Sequence, residues 1–106
     1  MEEIAEKLGK YAEEYNKAFA NRDWDKALKI LDKALRYVEG ASQAFIAKKD
    51  YASANELTIL MGILRSWQDM VTLQIENEKK FDEIVSKLNS LEERVKALEK
   101  ELTELD

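Results

Sequence analysis

The chain has 106 residues, no cysteine, histidine or proline, three glycines, and 17 basic against 22 acidic side chains, for a net charge of -5. That length limits it to one small domain, or a domain with an extension, and the missing residue types exclude disulfide scaffolds, Cys/His zinc sites and catalysis that needs an imidazole or a thiol. With 45% apolar and 37% charged residues, and Ala, Leu, Glu and Lys predominant, the composition predicts an all-α protein.

Glycine and proline are too scarce to mark the breaks, so these are read from capping residues and from lapses in the 3.6-residue pattern. In Asn21-Arg22-Asp23, Asp23 is placed to accept from the free amides of a helix starting at Trp24. In Lys48-Lys49-Asp50, Asp50 is placed to do the same, with Ser53 and Glu56 offering an alternative capping box downstream. Three helices result, over about residues 3-20, 24-48 and 51-75, the last continuing toward the C-terminus.

The first helix has Ile4, Leu8, Tyr11, Tyr15 and Ala18/Phe19 on one stripe. The second has Trp24, Ala27/Leu28, Leu31, Ala34/Leu35, Val38 and Phe45, and Gly40 is expected to be tolerated inside it at a cost of about 1 kcal/mol relative to alanine. The stretch 51-75 carries only Glu56, Arg65 and Asp69 as charged residues. On a helical wheel Leu57, Leu60, Met61, Leu64, Trp67, Val71 and Ile75 form one apolar face, which the first two helices can cover. Ile59, Ile63, Met70 and Leu73 form a second apolar face around Ser66. Soluble monomers rarely expose such a patch. Its cover is another copy of the chain, a ligand, or a tighter wrap by the first two helices, and another copy is the expectation. Arg65 and Asp69, four apart, are expected to pair.

From residue 81 the large apolar side chains fall at Phe81, Ile84, Leu88, Leu91, Val95, Leu98, Leu102 and Leu105, at alternating intervals of three and four. Phe81, Leu88, Val95 and Leu102 take a positions, and Ile84, Leu91, Leu98 and Leu105 take d, which predicts a coiled coil. In a parallel pair, Lys87 meets Glu92 and Arg94 meets Glu99, both attractive, while Glu101 meets Asp106 unfavourably at the end. A parallel homodimer is therefore expected. No Asn or Lys within this a/d set fixes the strand number, which leaves trimers and tetramers open. Residues 1-75 are expected to be a helical bundle and 76-106 a coiled-coil extension of its third helix, with 76-80 as neck or hinge.

The stretch from Ala18 to Leu35, with Asp23-Trp24 followed by Ala27, Leu31 and Ala34, resembles the turn and second helix of a tetratricopeptide repeat. Ala44-Phe45, Asp50-Tyr51 and Ala54 echo it more faintly. Tyr15 stands where that family prefers a small residue, no proline closes the unit, and about one and a half repeats are present. The Asp-aromatic-x-x-Ala-Leu wording of Asp23-Trp24 and Ala27-Leu28 is also similar to three-helix microtubule-interacting-and-trafficking domains, whose third helix binds partner helices. Both resemblances imply helix-to-helix recognition, and neither brings binding residues that can be carried over.

Lys26, Lys29, Lys33 and Arg36 form a candidate basic stripe on the second helix. Asp25 stands four before Lys29 and Asp32 four before Arg36, which favours a solvated face over a phosphate-binding one. No catalytic, cofactor-binding or metal-binding residue is expected. The residues expected at an oligomer interface are Ile59, Ile63, Trp67, Met70 and Leu73 together with the eight heptad residues. Acid stands in Met1-Glu2-Glu3-Ile4-Ala5-Glu6-Lys7 where a secretory leader carries base, and no stretch approaches the roughly 18 apolar residues of a membrane span. A soluble, cytoplasmic, homo-oligomeric protein that binds or scaffolds another protein is expected, without enzymatic activity and without membrane or nucleic-acid partners. The alternative is a small acidic regulator or inhibitor of a nucleic-acid-handling complex, or a weak nucleic-acid binder through the second helix. Absent Cys and His beside abundant Glu and Lys also fit a thermophilic source.

Overall fold

A computed structural model describes residues 2–105. It is all-α, with α1 at Glu2–Ala20, α2 at Trp24–Ala47 and α3 at Tyr51–Leu105. No strand occurs among the described residues. The internal contacts divide the chain into two units, one ending at Gln74 and the other beginning at Ile75.

Both connections use the same three-residue device. After α1, the Arg22 amide donates to the Phe19 carbonyl (3.1 Å) and the Asp23 amide to the Ala18 carbonyl (2.9 Å). After α2, Lys49 donates to Ile46 (2.9 Å) and Asp50 to Phe45 (2.9 Å). These are the paired bonds of a Schellman ending, which satisfy carbonyls that a helix end would leave free. The aspartate that closes one helix then starts the next. Asp23 Oδ1 accepts from the Lys26 amide at 3.3 Å. Asp50 Oδ1 accepts from the Ser53 amide at 3.2 Å, and its Oδ2 from the Ser53 hydroxyl at 2.8 Å. Asp50 therefore starts α3, and Ser53 serves it as a donor rather than forming a cap of its own.

A Schellman ending needs a left-handed residue after the helix, usually glycine. Here non-glycine residues take that conformation, Arg22 at φ 55° and Lys49 at φ 61°. An L side chain is disfavoured there by roughly 1–2 kcal/mol, and glycine's freer unfolded chain returns part of that difference. Arg22→Gly and Lys49→Gly are each expected to stabilise the N-terminal unit by about 0.5–1 kcal/mol in chemical denaturation. Unchanged or lowered midpoints would show that the turns carry no such strain.

The core of the N-terminal unit draws on all three helices: Tyr15 and Ala18 from α1, Ala27, Ile30, Leu31, Ala34 and Val38 from α2, and Ala54, Leu57, Leu64 and Val71 from α3. Four of these are alanines, whose small side chains let helix backbones approach closely. Leu57, Leu64 and Val71 stand seven apart on the first apolar face of α3, and Leu60, Met61 and Trp67 on the same face are half-buried. Ser42 is the one buried polar residue among those described. Its hydroxyl lies 3.5 Å from the Ala54 carbonyl, so the polar group is placed against an acceptor on α3. The α2 helix continues through Gly40.

Candidate interaction surfaces

Two apolar surfaces stand uncovered, one on each unit. On the N-terminal unit, Ile59, Ile63, Met70 and Leu73 are between 45% and 68% exposed. Neither α1 nor α2 wraps this face, which removes a tighter wrap from its three candidate covers. Ser66, between these residues, donates its hydroxyl to the Gly62 carbonyl at 3.1 Å. Its polar group is thus satisfied within the helix, and covering this face would leave no hydroxyl without a partner.

Trp67 has a partner inside its own unit. Its ring stacks on Tyr15, with centroids 5.2 Å apart and planes 16° from parallel. Tyr15 also meets Phe19 (5.8 Å), and Phe19 meets the edge of Trp24 (5.1 Å). Such pairs contribute about 0.5–1.5 kcal/mol each beyond the area they bury. A groove bounded by Tyr15, Phe19, Trp67 and Met70 adjoins the cluster. Of the residues expected at an interface, Trp67 is the one committed to holding α3 against α1. The Trp24 Nε1 group is buried without a hydrogen-bond partner among the described residues.

Burial pushes the Tyr15 hydroxyl above the ordinary tyrosine pKa. The unfolded chain therefore ionises Tyr15 first, so the contribution to stability is complete below about pH 10 and is lost as pH rises through the folded-state value. Tyr15→Phe is expected to flatten the alkaline fall in melting temperature without changing the acid side. An identical alkaline slope in the variant would remove Tyr15 from that dependence.

On the C-terminal unit, Phe81, Ile84, Leu88, Leu91, Val95, Leu98, Leu102 and Leu105 are 52–82% exposed. Val85, at an e position beside them, is also exposed. Glu92 and Lys96 pair within the helix at 3.3 Å. Lys87, Arg94 and Glu99, flanking the heptad stripe, are exposed. The Glu101–Asp106 contact lies partly outside the described residues.

The basic stripe Lys26, Lys29, Lys33 and Arg36 is exposed. Arg36 pairs with Asp32 at 3.2 Å, in an exposed contact worth little. Neither the Asp25–Lys29 nor the Arg65–Asp69 pair forms among the described residues, which leaves these surface charges to water. Sequence spacing did not identify Ile30 or Ser42 as core. Ile30 lies beside the α2 stripe at the edge of its buried sector, and Ser42 gives no apolar signal at all. No helix among the described residues is long and apolar enough to cross a membrane. No family model, curated protein or solved structure matches the chain.

Proposed function

We propose that the protein is a non-enzymatic, homo-oligomeric interaction or scaffold protein, in which residues 1-75 form a three-helix bundle and residues 76-106 a parallel coiled coil. The observation that carries this is the exposure of all eight a/d side chains of the C-terminal unit. Each is worth roughly 1.5–3 kcal/mol when fully buried. A lone helix buries almost none of that area and is marginal in water, so a second helix has to supply the cover. A second copy fits the flanking charges: in parallel register Lys87 faces Glu92 and Arg94 faces Glu99 of the partner helix.

The exposed face at Ile59, Ile63, Met70 and Leu73 is a second self-association surface, carried by the N-terminal unit. The remaining outer faces of α1 and α2 are then the surface offered to an unidentified protein partner, in keeping with the tetratricopeptide-like wording of Ala18 to Leu35. Two differently tagged copies produced together are expected to co-purify, and successive capture through both tags is expected to recover them in equal amounts. Recovery of only the tag that was captured would contradict self-association.

A further inference from the structure

The interior of a folded unit is packed to the density of an organic crystal, with few spaces larger than a water molecule. The N-terminal unit nevertheless keeps a cavity of about 150 Å³ between its three helices. The sequence leaves it open at two alanines. Ala12 on α1 and Ala34 on α2 both line it, and a larger side chain at either position would occupy the space. Leu8, Leu31 and Leu64 give it an aliphatic wall, one from each helix, and the stacked Tyr15 and Trp67 give it an aromatic one. Among the described residues no charged side chain lines it.

We propose that this cavity is a binding site for one small, uncharged, apolar molecule of the size of a single aromatic ring. The lining decides the chemistry. A buried water needs roughly two to four polar partners, whereas an apolar cavity of about this volume stays dry and admits benzene. The side-chain polar groups carried by the lining residues are the Tyr11 and Tyr15 hydroxyls and the Trp67 indole nitrogen, and a charged guest would lose its water with no counter-charge to meet. The volume sets the upper size, because drug-sized ligands occupy roughly 300 Å³ or more. An aromatic guest gains further from offset or edge contact with the Tyr15 and Trp67 rings. Those two residues also bound the outer groove with Phe19 and Met70, so their stack is the wall common to cavity and groove and marks the route of entry. The site lies within the N-terminal unit and is independent of self-association.

Benzene is the probe. Added to the full chain in sealed cells to near saturation, it is expected to raise the melting midpoint followed at Trp24 and Trp67 by roughly 3–6 °C. The methyl resonances of Leu31 and Leu64 are expected to shift saturably, while those of the exposed Ile59 and Ile63 stay in place. Benzoate, the same ring carrying a charge, is expected to leave both readouts unchanged. Ala12→Leu fills the space from α1 and is expected to weaken benzene binding by roughly tenfold or more. Leu8→Phe, one turn away, fills the same space and replaces it as the test if the first variant does not fold. No saturable shift at Leu31 and Leu64, equal shifts at Ile59 and Ile63, benzoate bound as well as benzene, or a folded filled variant that binds benzene as the native chain does, each overturns the site.

Discussion

Replacing Leu91 and Leu98 together by glutamate is expected to convert the protein to a monomer and to unfold most of the C-terminal unit. Both residues occupy d positions, and both are more than half exposed in the single chain, at 54% and 57%. Their apolar area is therefore still to be removed from water, in the proposed assembly by a second copy. Losing two such contacts removes roughly 3–6 kcal/mol per chain from the association, and each new carboxylate must either stay hydrated or be buried at high cost. Once separated, the segment beyond Gln74 is expected to fray as an isolated helix does. Circular dichroism should lose up to about a third of the helical signal, the share of helical residues lying beyond Gln74, while the tryptophan environment at Trp24 and Trp67 stays unchanged. Unaltered mass and helicity would remove the heptad stripe from the assembly.

Leu31→Ala is expected to act on the other unit and to spare the assembly. Leu31 is buried in α2 and borders a cavity of about 150 Å³ that is also lined by Leu8, Tyr11, Tyr15, Leu64 and Trp67. Truncation adds to a space already present, so the neighbours have little to close upon, and the loss is expected toward the upper end of about 2–5 kcal/mol. A unit of this size has a total stability on the order of 5–10 kcal/mol, so the variant should unfold α1 and α2 at temperatures where the native protein is folded. In the proposed assembly the C-terminal segments are expected to remain joined and the mass to stay that of two chains. A change in melting midpoint of less than about 4 °C, corresponding to under roughly 1 kcal/mol, would contradict the placement of Leu31 in the core.

The helices were legible in the sequence because their boundaries are written in polar residues. Asp23 and Asp50 each sit before a periodic apolar run, and the structure uses both as caps. The left-handed turns were not legible. Arginine and lysine give no sign of a positive φ, and the turn is imposed by the two helices on either side of it. The two faces of α3 separated correctly on a helical wheel, with Leu57, Leu64 and Val71 buried and Ile59, Ile63, Met70 and Leu73 exposed. Trp67 shows where periodicity stops being informative. It lies at the border of the two faces, and stacking on Tyr15 decides its side, a matter of which α1 residue stands opposite. Surface ion pairs were equally beyond reach. Asp32–Arg36 forms and Asp25–Lys29 does not, although the spacing is the same, because at exposed positions the energies are too small for spacing to decide.

The central claim is that the apolar stripe of residues 81–105 is covered by a second copy of the chain. Sedimentation equilibrium of the untagged protein at micromolar concentration tests it most directly. A mass twice that of the chain, falling to the chain mass when Leu91 and Leu98 are both replaced by glutamate, is the predicted result. A folded native protein that sediments at the mass of one chain would contradict it.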